Sequence, residues 1–193
     1  YDGEVILRFD DTDAVVKRPD PEAYALIEED YSWLAGQAPD RIVKASDRMD
    51  VYLEHAIRAL SEKHAYVCKC TVDAFKEFRI SKTKCPCRNR STEDNIDLWR
   101  QMNDGTIQPG GAVVRIKTDM TLPNPALRDW PALRIQHADH PLVGDRYKVW
   151  PLLDFQSAIE DHLQGVTHIV RGKDLMDSTR KQTLLYEKLG WTY

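Results

Sequence analysis

The chain has 193 residues, 42% hydrophobic and 30% charged, with 27 lysines and arginines against 31 aspartates and glutamates and a net charge of −4. This mixture excludes a disordered chain, and no apolar run approaches the roughly 20 residues needed to span a bilayer, so no membrane partner is expected. A generally basic nucleic-acid coat is excluded too, while the length allows one good core or two small ones.

The start, Tyr1-Asp2-Gly3-Glu4, lacks an initiator Met and a charged-then-apolar leader, and runs straight into Val5-Ile6-Leu7. The end, Leu189 to Tyr193, stops just after a predicted helix. Both ends read as cuts in a longer chain, and the absence of a leader predicts a cytoplasmic location.

Residues 4–9 predict a buried strand, which ends in the polar turn Asp10-Asp11-Thr12-Asp13. Over 21–34, Tyr24, Ile27, Tyr31 and Leu34 recur at helical spacing, with Pro21 and Glu22 suited to a first turn and Gly36 just beyond. Ile42-Val43 predicts a short strand. Ser46 is a candidate cap for a second helix with Met49, Leu53, Ile57 and Leu60 on one face. Strand, helix, strand, helix suggests an α/β layer with parallel strands.

Character changes over 66–147, which gathers all four cysteines, many prolines and short β-like runs, the clearest at 112–117. After Tyr147 the α/β style returns, with predicted helices at 155–163 and 178–189 and a predicted buried strand at 167–170. The chain therefore divides into 1–65, an insertion at 66–147, and a return to the first layer at 148–193.

Cys68-Lys69-Cys70 and Cys85-Pro86-Cys87 form two C-x-C pairs with fourteen residues between them. Zinc takes four soft ligands in a tetrahedron, and two knuckles joined by a helical excursion can supply them. The competing readings are two disulfides, which are strained within a C-x-C, or four unrelated thiols. Four thiolates leave no open position, so such a zinc is structural. Around these cysteines, residues 76–90 carry Lys76, Arg79, Lys82, Lys84, Arg88 and Arg90 against the single acid Glu77. This is either a phosphate contact or a solvated face.

Several stretches in order resemble the archaeal-type glutamyl-tRNA synthetases, class I enzymes. Leu7-Arg8-Phe9-Asp10-Asp11-Thr12-Asp13 is similar to a segment shared by the glutamyl and glutaminyl enzymes, and Val43-Lys44-Ala45-Ser46-Asp47-Arg48 to the start of the following helix. The C-x-C and C-P-x-R stretches resemble the archaeal zinc module, in which His often stands where this chain has Cys87. Asn124 to Trp130, Trp150 to His162 and Gly165 to Leu175 extend the likeness over essentially the whole chain.

The resemblance implies an α/β, Rossmann-like class I catalytic domain, present in part and interrupted by an α+β zinc-containing insertion that binds the acceptor stem. It implies ATP-dependent activation of glutamate, with Mg²⁺, and transfer to the 2′-OH at the 3′ end of tRNA(Glu). Asp10 falls where the family receives the substrate ammonium group, and Arg171 where glutamate-specific members hold the side-chain carboxylate. Phe155 and Ser157 are expected to line the same pocket. Leu153 stands where relatives often carry a tyrosine. Lys82, Lys84, Arg88 and Arg90 become candidate tRNA contacts, and Arg128, Asp129 and Trp130 candidate supports for the acceptor stem. His162 and His168 are expected to be structural.

The family's H-x-G-H element and lysine loop are absent from this sequence, and Ser81-Lys82-Thr83-Lys84 lies in the wrong place for the latter. A fragment unable to aminoacylate alone is the resulting expectation. A glutaminyl enzyme is the alternative within the family, disfavoured because an amide gains little from Arg171. A non-catalytic zinc module that binds RNA or protein is the alternative of another class.

Overall fold

The structure is a computed structural model that describes residues 3–192. Strand β1 (Ile6–Phe9) pairs in parallel with β2 (Arg41–Lys44), with Ile6 opposite Arg41 and Phe9 opposite Lys44. Helix α1 (Pro21–Ala35) joins them, capped by the Asp20 carboxylate on Glu22 N at 3.0 Å and closed by Gly36 at φ 71°. Glycine takes this left-handed conformation without a Cβ penalty.

The expected apolar face of α1 is largely open. Tyr24 is buried, but Ile27 is 44% and Leu34 80% exposed. A sheet of two strands about 5 Å apart is narrower than the ~10 Å helix it would have to cover.

A 3-10 turn, Ala45–Arg48, leads into α2 (Met49–Ser61). Ser46 does not cap this helix: both its amide and its hydroxyl donate to Asp11, at 2.7 and 2.8 Å. The buried face of α2 is Met49, Tyr52, Ala56, Ala59 and Leu60. It is rotated from the expected face, leaving Ile57 exposed while the small Ala56 and Ala59 are wholly buried.

The second sheet is antiparallel, in the order β3 (Ala65–Cys68), β4 (Val113–Ile116), β5 (Pro131–Ile135), β6 (Val149–Pro151). The predicted strand at 112–117 is β4, and β6 extends this sheet past residue 147. Between β3 and β4 run α3 (Val72–Ser81) and α4 (Thr92–Asn103). The second of these helices was not anticipated from the sequence. Ser91 caps it by accepting from Asp94 N at 3.0 Å, and Trp99 and Met102 anchor it.

After β6 come α5 (Leu153–Leu163) and α6 (Met176–Leu189), which pack on each other. The predicted strand at 167–170 is not one. Ile169 is 38% and Val170 98% exposed, and no ladder partner lies beside them. An apolar run becomes a strand only where a neighbouring backbone accepts its hydrogen bonds.

One apolar cluster runs from Ala45 and Tyr52 through Trp130, Trp150 and Phe155 to Leu185 and Leu189, crossing both expected divisions of the chain. A smaller cluster gathers Tyr66, Phe75 and the cysteines.

Candidate functional site

The acidic turn after β1 is fixed by its neighbours. Asp11 is buried and accepts from Tyr24 Oη at 2.6 Å as well as from Ser46, while its carbonyl meets His140 Nε2 at 2.8 Å. Thr12 Oγ1 donates to Pro151 O at 3.3 Å. Asp13 takes Gln136 Nε2 at 3.0 Å and Arg134 at 2.9 Å. Burial works against the charged form of Asp13, but hydrogen bonds from Val16 N, Gln136 and Val15 N and the Arg134 charge outweigh it, bringing its pKa to about 2. With Asp11, Thr12 and Asp13 tied by these bonds, Asp10 is the exposed carboxylate of the turn.

Asp10 begins a row of alternating charges. Its Oδ1 accepts from Gln156 Nε2 at 2.6 Å and from Arg8 Nε at 2.9 Å. Arg8 Nη1 reaches Asp161 Oδ1 at 2.7 Å. On its other oxygen Asp161 accepts from Gln182 Nε2 at 3.0 Å and, more loosely, from Arg171 Nη2 at 3.4 Å. Arg171 also donates to Thr179 Oγ1 at 2.8 Å and Gln182 Oε1 at 2.7 Å. Desolvation disfavours the Arg8 cation, yet Asp10 and Asp161 more than compensate and raise its pKa.

The order is Asp10, Arg8, Asp161, Arg171, with a carboxylate at one end and a guanidinium at the other. Arg171 has two neutral partners and one carboxylate, Asp161 at 3.4 Å, which it shares with Arg8, so its charge is only partly balanced and an added carboxylate would gain from it. Asp10 lines a hollow of about 210 Å³ with Lys17, Asp20 and Tyr24, and Asp161 lines another of about 340 Å³ with His162, Thr167 and Tyr186. Arg171 lines neither hollow, and it is joined to Asp10 only through the row of charges.

The two expected pocket residues are both buried. Phe155 is wholly buried among the core side chains and presents no surface to a ligand, because the first turn of α5 faces the core rather than the cleft. Ser157 is also buried, at 7% exposure. Gln156 between them makes the contact to Asp10, and Arg8, Asp161 and Gln182 complete a set that local sequence pattern did not single out. The alternation of a strand was the available signal for Arg8, since β1 sends Arg8 and Phe9 to opposite faces. His162 is structural, stacked on Trp191 with ring centres 3.9 Å apart, and His168 Nδ1 meets Thr167 Oγ1 at 2.9 Å.

The four cysteines converge. Their sulfurs lie within 4.8 Å of one another, with Cys68–Cys85 at 4.0 Å and Cys70–Cys87 at 3.8 Å, and none is in a disulfide. A tetrahedron with metal–sulfur bonds of about 2.3 Å has sulfur–sulfur edges of about 3.8 Å. The donor set therefore fits a four-thiolate metal. The hydrogen bond from Cys68, helped by Tyr66, lowers Cys85 to about 5, while the same contact and burial push Cys68 up. Burial pushes Cys70 up to about 11. Thr71 accepts from Ala74 N at 3.2 Å and caps α3, the excursion between the knuckles.

Of the expected RNA contacts, Lys82 and Lys84 are exposed. Arg88 and Arg90 are not free for that purpose. Arg88 pairs with the fully buried Asp129 and donates to Thr118 O at 3.0 Å, and Arg90 Nη1 donates to Val67 O at 2.8 Å. A cation so engaged would have to break an internal bond to reach a phosphate. Arg128, Asp129 and Trp130 are likewise buried. Arg128 satisfies the carbonyls of Leu122, Pro123 and Arg79, and Asp129 accepts from Tyr66 Oη at 2.9 Å and Thr118 N at 2.8 Å.

Comparison with known proteins follows the same lines. Glutamate–tRNA ligases of Archaeoglobus fulgidus and Methanothrix thermoacetophila are 51% and 53% identical over 193 residues, covering 100% of this chain and 35% and 34% of theirs. The chain thus spans about a third of the length of the curated relatives it matches. A crystal structure of a glutamate tRNA ligase from Elizabethkingia meningosepticum in complex with its amino acid shares the fold, with a TM-score of 0.64 at 22% identity over 99% of this chain and 41% of that one. Residues 1–193 match the family described as tRNA synthetases class I (E and Q), catalytic domain, and the chain belongs to that family.

Proposed function

We propose that this chain is the amino-acid-binding and RNA-facing part of a glutamate–tRNA ligase. The whole protein would activate glutamate with ATP and Mg²⁺ and pass it to the 3′ end of tRNA(Glu). The observation that carries this reading is the charge row ending in Asp10 and Arg171. Free glutamate brings an ammonium group and a side-chain carboxylate, and the row offers a carboxylate at one end and an incompletely balanced guanidinium at the other. Asp161 and Gln182 hold Arg171 in place, so little ordering remains on binding. Glutamine offers the guanidinium only a neutral carbonyl, and on this reading a glutaminyl enzyme is disfavoured. Relatives at about half identity named glutamate–tRNA ligase support the same choice.

Zinc is the metal we assign to the four cysteines. When bound it crosslinks two chain segments and supplies no chemistry. Lys82 and Lys84 face the acceptor stem. Residues 66–147 are assigned as the acceptor-stem insertion between catalytic segments 1–65 and 148–193. The 193 residues alone are inactive in aminoacylation, because the elements that clamp ATP lie outside them.

The test is Arg171→Ala in the full-length protein. Losing one partner of a hydrogen-bonded charge pair costs about 2–4 kcal/mol, or roughly a 30- to 1,000-fold drop in kcat/KM for glutamate, with the KM for ATP essentially unchanged. Equal losses for glutamate and ATP would make Arg171 a structural residue and sink the proposal.

A further inference from the structure

A second charged feature lies away from the glutamate row. Lys63, Lys82, Lys84, Lys117 and Lys188 converge, with Arg88, around an open hollow of about 510 Å³ floored by Met120 and Leu184. These residues come from the end of α2, the end of α3, the end of β4 and the last turn of α6, so the basic run at 76–90 announces only Lys82, Lys84 and Arg88 of them. Arg88 is already paired with Asp129. Of the carboxylates near the remaining five ammonium groups, Asp119 lines the hollow with them, its pKa lowered by Thr121, while Glu187 and the buried Asp129 offset part of the Lys188 charge. Among the described residues, none of the five ammonium groups makes a hydrogen bond or ion pair.

Holding these cations together is unfavourable. Lys117 and Lys188 are pushed below the usual lysine range, first by burial and then by the Arg88 charge. The backbone adds to this. Among the described residues only Lys63, Lys82 and Asp129 take positive φ without being glycine, at 62°, 59° and 40°. Two of them line the hollow, and the third is the partner of its arginine. Backbone held in this region costs of order 1 kcal/mol per residue, and such strain persists where the surroundings or a function require it.

We infer that this hollow seats backbone phosphate of the RNA substrate, extending the contact of Lys82 and Lys84 to Lys63, Lys117 and Lys188. It is lined by lysines, which act as point charges on phosphate and carry no base code. No aromatic side chain lines it to stack a base or a nucleotide's adenine, and the hollow is open rather than enclosed, which suits a phosphate on a long chain. Helix α6 links it to the glutamate row: Gln182 holds Arg171, and Lys188 lies six residues further, about 9 Å along the axis. The RNA identity of the ligand rests on the proposed function; the anion site itself rests on the cluster.

The experiment measures binding of a fluorescent RNA hairpin with a single-stranded 3′ tail to the zinc-loaded chain across a salt series. Lys63→Gln/Lys188→Gln and Lys117→Gln are compared with wild type and with Arg100→Gln/Arg146→Gln, a pair of exposed cations elsewhere. The hollow variants should bind about tenfold more weakly and lower the salt slope by about one for each phosphate no longer neutralised, while the control pair stays near wild type. Lys63→Gly/Lys82→Gly removes two charges while relieving two left-handed side chains. It should melt higher than wild type and still lose RNA affinity, so a folding defect cannot imitate the result.

Equal losses in the hollow and control variants, or none in either, overturn the inference. Calorimetry with inorganic phosphate and tripolyphosphate separates the other source of the same chemistry. Tight binding of these ions that the variants abolish, with hairpin affinity unchanged, would assign the hollow to free phosphates and overturn the RNA reading. The glutamate test at Arg171 is independent. RNA binding through the hollow together with failure at Arg171 refutes only the ligase reading, and the opposite pattern refutes only this one.

Discussion

Replacing Asp11 with alanine isolates the contribution of the turn that presents Asp10. The carboxylate is 7% exposed and accepts three hydrogen bonds, from Ser46 N at 2.7 Å, Ser46 Oγ at 2.8 Å and Tyr24 Oη at 2.6 Å. In Asp11→Ala the serine hydroxyl can rotate to another partner, but the Ser46 amide and the tyrosine hydroxyl are stranded. Each stranded donor costs about 1–3 kcal/mol, giving roughly 2–6 kcal/mol. Removing a carboxylate that was expensive to bury returns part of this, so the expected loss centres on about 3 kcal/mol.

For a chain of this size that corresponds to a fall in Tm of about 6–12 °C. Asp11→Asn keeps one acceptor for the amide and should cost about half as much. Urea unfolding of the three proteins, extrapolated to water, gives the comparison. If alanine costs less than about 1 kcal/mol, or asparagine as much as alanine, the turn is not held by these three bonds and the account of why Asp10 is its exposed carboxylate is wrong.

Metal analysis should find one zinc per chain with four protected thiols, and its removal by chelator should be local. The cysteine cluster is separate from the main core, so hydrogen exchange should accelerate in α3 while α5 stays protected; acceleration in both would mean the metal supports the whole chain. Asp13 predicts an acid-limb effect. Its folded pKa of about 2 lies below the ordinary 3.8, so its contribution is present above about pH 4 and is lost as pH falls through 2. After allowance for solvent screening the contribution is about 1 kcal/mol, and Asp13→Asn should shrink the difference from wild type as pH drops from about 5 to about 2. A constant difference across that range would assign the effect to packing.

Much of this was legible in the residues. β1 and its acidic turn declare themselves by an apolar run meeting three aspartates, and the two C-x-C pairs found each other as their number and spacing suggested. Helix α4 was missed because its buried side is built from Asn95, Trp99 and Met102, a polar residue among apolar ones, although Ser91 and Asp94 spelled its cap. The strand expected at 167–170 had the right composition and no neighbour to pair with, a condition no local pattern can report. The resemblance led to Asp10 and Arg171 being expected in one pocket, but the Arg8–Asp161 bridge between them spans 153 positions and emerges only from the packing of α5 beside β1. Lys63, Lys117 and Lys188 of the lysine hollow were invisible for the same reason. The local basic run contributed Lys82 and Lys84, whereas Arg90 was committed to a strand carbonyl.

The pairing of β6 with β5 constrains how this protein can be divided. Trp150 and Val149 lie in the same sheet as Leu133 and Ile135, and all four are buried in the one apolar cluster that also takes in α2 and α6. Excising the middle of the chain at residues 66 and 147 would strip away that outer strand and uncover tryptophan and aliphatic surface on both cut pieces. The segment is thus a graft whose vessels have grown into the host: it can be read as an inserted module, but not transplanted as one.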